Sequence, residues 1–271
     1  MNTKKNKPIG VFDSGIGGLT VVKELRKLLK NENILYLGDT ARLPYGTKSE
    51  KVIMRYAVEN TEFLLSRDVK IVIVACHTAS SVAGEKLREI FQVPIIGMIE
   101  PGARAAVNAT KNKKIGVIGT SLTIKVGAYE KAIKRLIPEA EIIARPTPMF
   151  VPLVEEGWIE HPITNTVIKE YLTSLKEENI DTLLLGCTHY PLLKKRIQKF
   201  MGDKIMLINP SFETAIETRE ILKSMDMRKE NGEGKIKIYL TDLSPNFENI
   251  GSAFLEETVT DVMKTTLRGW E

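Results

Sequence analysis

With 271 residues, 43% of them hydrophobic and 27% charged, the chain has the make-up of a globular protein, long enough for one large α/β domain or two of roughly 100 to 150 residues each. The basic opening, residues 1–8, runs into an apolar stretch of only 9–12, unlike a secretory signal, and the apolar run 71–76 falls far short of the roughly 20 residues that cross a bilayer; the chain is therefore read as cytoplasmic, with no membrane partner. The net charge of +5 comes from scattered lysines with no RNA-binding or helix-turn-helix signature, which argues against nucleic acid and suits a dianionic small molecule.

In chain order, short β-branched runs alternate with longer amphipathic stretches, the pattern of parallel sheets covered by helices. Strands are predicted at 9–12, 34–37, 71–75, 95–97, 115–118, 142–144, 182–185, 206–208 and 236–240, with helices between them. The clearest helix is 19–29, where Leu19, Val22, Leu25, Leu28 and Leu29 recur near the helical period while Lys23, Arg26, Lys27 and Lys30 fall mostly elsewhere.

The two halves look like copies of one another. Lys7-Pro8-Ile9-Gly10-Val11-Phe12-Asp13-Ser14 resembles Lys113-Lys114-Ile115-Gly116-Val117-Ile118-Gly119-Thr120, and the run 68–76, ending in Ala75-Cys76, resembles 179–187, ending in Gly186-Cys187. Buried parallel strands share composition, so apolar likeness alone means little; here each match ends in the same kind of polar turn. The fold expected is α/β, with two pseudo-symmetric parallel-sheet lobes, helices on both faces and the active site in the cleft between them. The first lobe is assigned residues 1–100 plus 210–271, carrying Asp13 and Cys76. The second is assigned 101–209, carrying Cys187 and His189. Ligands of open α/β sheets sit beyond the carboxyl ends of strands, so two facing lobes would set Cys76 and Cys187 across one cleft.

The two cysteines lie too far apart in sequence for a local CxxC pair or a four-cysteine zinc site. Each follows a buried strand and precedes a helical stretch: Ala75-Cys76-His77-Thr78-Ala79-Ser80 in one half, Gly186-Cys187-Thr188-His189-Tyr190-Pro191 in the other, with Pro191 suited to a first helical turn. A helix N-terminus favours an anion, which makes a thiolate easier to form than at the free value of about 8.5. A lone buried cysteine is usually a small hydrophobe; two in matched contexts point to chemistry. Asp13-Ser14-Gly15-Ile16-Gly17-Gly18 is a glycine-rich turn able to cradle a carboxylate, but its spacing fits no nucleotide motif. Its glycines are equally those of any tight turn, whereas Asp13, at a strand end, can serve a substrate ammonium or a thiol. Gly38-Asp39-Thr40-Ala41-Arg42-Leu43-Pro44-Tyr45-Gly46 is a polar loop of the same kind, or a surface turn.

Taken together, Asp13-Ser14-Gly15, Pro44-Tyr45-Gly46, Cys76-x-Thr78-Ala79, Glu100-Pro101-Gly102, Val151-Pro152-Leu153-Val154-Glu155 and Gly186-Cys187-Thr188-His189-Tyr190-Pro191 resemble glutamate racemase, within the aspartate/glutamate racemase superfamily. The likeness runs in order over 9–210, and the Thr188-His189-Tyr190 ending resembles the glutamate branch more than the aspartate branch. Residues 211–271 carry no motif that bears on it. The resemblance implies cofactor-independent racemisation of L- and D-glutamate by two bases, with neither pyridoxal phosphate nor metal: Cys76 acts on D-glutamate and Cys187 on L-glutamate. It implies that Asp13 assists Cys76 and His189 assists Cys187, with Asp39 and Glu155 as auxiliary groups. Ser14, Tyr45, Gly46, Thr78 and Thr188, with Asp13 and His189, match substrate-binding positions. It further implies a homodimer, and a product, D-glutamate, that supplies peptidoglycan and through it the cell wall and cell shape. The family carries asparagine after the first cysteine; this chain has His77, an imidazole in place of an amide at a substrate contact.

Other readings make distinct demands. A racemase of a related acidic amino acid such as aspartate would use the same thiols. A two-lobed amino-acid binding protein needs no thiol pair. A zinc site of Cys76, His77, Cys187 and His189 asks adjacent side chains to share one ion although neighbours at a strand end diverge. A Cys-His hydrolase built on Cys187 and His189 leaves Cys76 without a task.

Overall fold

The structure is a computed structural model that describes residues 3–243, 247–259 and 261–267. Its strands are β1 (Ile9–Asp13), β2 (Ile34–Gly38), β3 (Ile71–Val74), β4 (Ile95–Ile96), β5 (Lys114–Gly119), β6 (Glu141–Pro146), β7 (Thr182–Gly186), β8 (Met206–Ile208), β9 (Ile236–Leu240) and β10 (Val262–Lys264). They form two sheets, β10-β9-β2-β1-β3-β4 and β6-β5-β7-β8, and every pairing in both is parallel. Strands β1, β2, β3 and β7 are buried along their whole length, as befits sheets with helices on both faces, and this is why they read as unbroken apolar runs.

The internal repeat is a repeat of topology. In one sheet β1 lies between β2 and β3, with β4 beyond; in the other β5 lies between β6 and β7, with β8 beyond. The registers correspond as well: Ile9 pairs with Ile71 and Phe12 with Val74, while Ile115 pairs with Thr182 and Ile118 with Leu185. In each half the chain leaves the central strand on one side and returns on the other. The crevice at that reversal, outside the carboxyl ends of β1 and β3 or of β5 and β7, is where an open α/β sheet binds its ligand. Asp13 ends β1 and Gly119 ends β5; Cys76 follows β3 and Cys187 follows β7.

The predicted helix is observed as Leu19–Leu28, with Leu19, Val21, Val22 and Leu25 buried. Helix Pro210–Ser224 packs against both Leu19–Leu28 and Ile99–Ala109, bridging the elements of the two halves, and β9 then joins β2. At the amino-terminal edge of the six-stranded sheet the buried Lys70 ammonium pairs with Glu32 and donates to the carbonyls of Lys5 and Met227, 2.9 Å each. Strand β10, three residues long and part-exposed at the sheet edge, was not predicted. Among the described residues no helix is long and apolar enough to cross a membrane.

Candidate active site

The first half contributes three loops. At the end of β1 the Asp13 carboxylate is fully buried, taking a hydrogen bond from the Gly15 amide at 3.0 Å and one from the Thr188 hydroxyl at 3.4 Å. Burial raises its pKa against the pull of His189, the Gly15 and Gly18 amides and Thr188. The adjoining glycine turn is pressed against the second half: a methyl group at Gly17 would stand 2.5 Å from Thr188 Oγ1 and 2.7 Å from His189 Nδ1. The glycine is there for close approach, beyond the tight turn its sequence suggested.

The loop after β2 is no surface turn. Asp39 and Arg42 form a buried ion pair, Arg42 Nε donating to Asp39 Oδ2 at 2.6 Å. Asp39 also accepts from the Tyr45 hydroxyl and, at 3.2 Å, from Thr241 Oγ1. Arg42 reaches Glu59 and Asn60, and its guanidinium lies 4.0 Å from the Tyr56 ring centroid. This network fixes Tyr45 and Gly46, and Gly46 in turn abuts Thr120 of the second half, where a methyl group would meet Thr120 Cβ at 2.7 Å.

After β3, Cys76 is the N-cap of helix His77–Ile90, its sulfur accepting from the Ala79 amide at 3.5 Å. The helix terminus does not prevail. Burial, with the Asp13 carboxylate close by, pushes the thiol up to about 12 despite the Ala79 amide and Ser14 hydroxyl, so Cys76 is a thiol in this state and not the readily formed thiolate that its position suggested. His77 Nδ1 lies 2.7 Å from the Tyr129 hydroxyl, whose oxygen is 3.2 Å from the Met98 carbonyl. Burial drives this imidazole down to about 3 and keeps it neutral, away from the titration near neutrality of a free histidine. Thr78 Oγ1 closes a three-hydroxyl ring with Thr120 and Thr123 of the second half, at 2.9 and 3.0 Å.

The second half places Cys187 beyond β7, in a turn leading to a short 3-10 helix, Tyr190–Leu193, before helix Lys194–Met201 begins; Pro191 sits in the first turn of the former. Tyr190 anchors this turn: its hydroxyl donates to the Thr147 carbonyl at 2.9 Å and its ring meets Phe150 edge-on at 5.3 Å. His189 is held at both ring nitrogens. Nδ1 faces Cys187 Sγ at 3.7 Å, and Nε2 lies 3.0 Å from Oε1 of Glu155, the last residue of helix Phe150–Glu155. Burial opposes its charge, but hydrogen bonding to Cys187 and Glu155, and their charges, raise His189 to about 10, an imidazolium at neutral pH.

These parts enclose one cavity of about 300 Å3, at the small end of ligand sites. Ser14, Tyr45, Gly46, Cys76, His77, Thr78, Glu155, Cys187, Thr188 and His189 line it. Asp13 does not line it; it lies behind, fully buried. Asp39 stands further off, beneath Tyr45. Residues not named from sequence as site residues also line the wall: Leu43 and Thr47 flank the Tyr45 loop, Thr120 and Ser121 follow β5, and Pro148, Val151 and Pro152 precede Glu155. The signal for Thr120 was present, since it follows β5 as Ser14 follows β1. Among the described residues no group of three or more His, Cys, Asp or Glu side chains is arranged to hold a metal ion.

Two thiols at equivalent strand ends of two repeated α/β halves, opening into one small cavity rich in hydroxyls, define a two-lobed protein suited to acid-base work on a single small substrate. Comparison with known proteins gives the family: the sequence matches Asp/Glu/Hydantoin racemase over residues 9–213, and the chain belongs to that family. It is 45% identical to a glutamate racemase of Geobacter metallireducens over 262 residues, covering 96% of this chain and 97% of that one, and 49% identical to one of Persephonella marina over 242 residues, covering 89% and 91%. Among solved structures, a glutamate racemase of Francisella tularensis in complex with D-glutamate superposes with a TM-score of 0.93 at 37% identity, covering 98% of this chain and all of that one.

Proposed function

We propose that the chain racemises glutamate, exchanging the α-proton between Cys76 and Cys187 on opposite faces of the substrate without a cofactor. The observation that carries this reading is the shared cavity: both buried sulfurs open into it, and each comes from the same position in its half of the repeat. In the direction from L-glutamate, Cys187 as thiolate removes the α-proton and the Cys76 thiol donates to the other face; from D-glutamate the roles reverse. His189 assists Cys187, as an imidazolium steadied by Glu155. Asp13, fully buried behind the cavity wall, assists Cys76 from there. An α-carbon is a very weak acid, and donors fixed where charge develops on the carboxylate are worth about 3 kcal/mol each. The Ser14, Thr78 and Thr188 side chains and the backbone of the loop at Tyr45 and Gly46 supply polar contacts for the carboxylates and ammonium. His77 faces the cavity as a neutral ring, held through Nδ1 by Tyr129. Asp39 acts at one remove, by holding Tyr45.

Residues 1–100 with 210–271 then form one lobe and 101–209 the other, closing on the substrate. We place the protein in the cytoplasm as a homodimer, with D-glutamate destined for peptidoglycan. The test is to incubate the protein with L-glutamate after dialysis against EDTA and follow D-glutamate by chiral chromatography. The expected result is progress to equal amounts of the two enantiomers, with aspartate at least about tenfold slower, the discrimination worth of one methylene. Glutamate binding with no D-enantiomer formed, or activity abolished by EDTA and restored by zinc, contradicts the reading.

A further inference from the structure

The carboxy-terminal segment carries no motif, yet one of its side chains reaches the site. Phe254, on helix Phe247–Leu255, is fully buried, and its ring stands 5.4 Å from that of His189 at 86°, edge against face. That helix packs on Leu19–Leu28, whereas His189 follows β7, so the contact joins the two halves. The rest of the imidazole is already accounted for: Nε2 by Glu155, Nδ1 by Cys187 and Thr188 at 3.7 and 3.5 Å, with the Gly17 backbone pressed against the Nδ1 edge. Hydrogen bonds fix where the ring nitrogens point, but a ring tethered at its nitrogens still tilts about the line between them. A second ring packed perpendicular to it removes that freedom.

We infer that Phe254 is a positioning residue for His189, so that helix Phe247–Leu255 belongs to the active-site framework. This rests on the proposed racemase reading. The physical claim is that a group aiding proton transfer must hold its angle as well as its distance, and that small misplacement costs rate more than binding. Phe254→Leu keeps an apolar side chain of similar reach but removes the flat edge. Phe247→Leu is its control, a buried phenylalanine at the start of the same helix.

The experiment measures kcat and KM for glutamate in both variants, below their unfolding temperatures, together with the imidazole resonances of His189 by nuclear magnetic resonance. The chain has three histidines, so single substitutions at His77 and His161 assign the signals. Phe254→Leu is expected to lower kcat about tenfold with KM within about twofold, and to move the His189 resonances; Phe247→Leu is expected to leave all three near the parent. A Phe254→Leu variant with parental kcat and unmoved His189 signals overturns the inference, as does a loss no greater than that of Phe247→Leu. If the parent itself does not racemise glutamate, the function proposed above fails, and the His189 signals still decide whether Phe254 holds the ring.

Discussion

Two histidines of this site lie near the same cavity and are driven in opposite directions, which sets opposite contributions to stability. His77 is buried without a charge partner and falls to about 3. The unfolded chain takes up that proton near the ordinary value of 6.5, so between 6.5 and 3 the unfolded state binds more protons and stability falls as pH falls. His189 rises to about 10 through Cys187 and Glu155; its contribution is fully present below 6.5 and is lost as pH rises through 10. Replacing His77 with asparagine removes the first effect alone. The stability difference between His77→Asn and the parent, from urea unfolding, should move in favour of the variant by about 2 kcal/mol between pH 7.5 and pH 5; a difference that stays constant over that range contradicts the burial argument. The Cys76 thiol teaches the same lesson about legibility. Its place at a helix N-terminus is visible in sequence, and that alone makes a thiolate easier to form. Asp13 directly behind it, and the exclusion of water by both halves, are products of the fold, and they outweigh the helix.

At the scale of elements, the strands were legible because burial on both faces leaves an apolar run that no polar residue interrupts, as in Ile71–Val74 and Thr182–Gly186. Strand β10 was not, since a short part-exposed edge strand carries no such run. The loop after β2 was half legible: Tyr45 and Gly46 were named, but Asp39 looked like an auxiliary catalytic group or a surface residue because its partners come from elsewhere. Glu59 and Asn60 sit on helix Glu50–Leu65, which supports Arg42, and Thr241 follows β9. These contacts make Asp39 a support for the Tyr45 loop. Asp39→Asn breaks a buried ion pair and should cost about 3 kcal/mol of stability in urea, while loosening Tyr45 and so raising KM. A variant with unchanged KM and unchanged stability but a much lower kcat would instead give Asp39 a direct part in proton transfer.

For the molecule as a whole, the repeat is what makes the chemistry available. The mechanism proposed asks for two bases on opposite faces of one carbon, and two copies of one α/β unit, each ending a strand in cysteine at its topological reversal, would provide them when the copies face each other. The sequence showed the copies and the cysteines; that both sulfurs open into one cavity was visible only once the lobes were placed. Because the two enantiomers have equal free energy, kcat/KM must be the same in both directions for the parent and for every variant, so direction of turnover alone says nothing about which base acts. The route of the proton does. The most direct measurement is racemisation of L-glutamate in deuterated water, stopped in the first few per cent of turnover, with the α-deuterium content of both enantiomers read by mass spectrometry after chiral separation. Two opposed thiols predict D-glutamate that is deuterated from the outset while the recovered L-glutamate keeps its original hydrogen; D-glutamate that carries the substrate's own hydrogen, as one shared base would deliver it, contradicts the account.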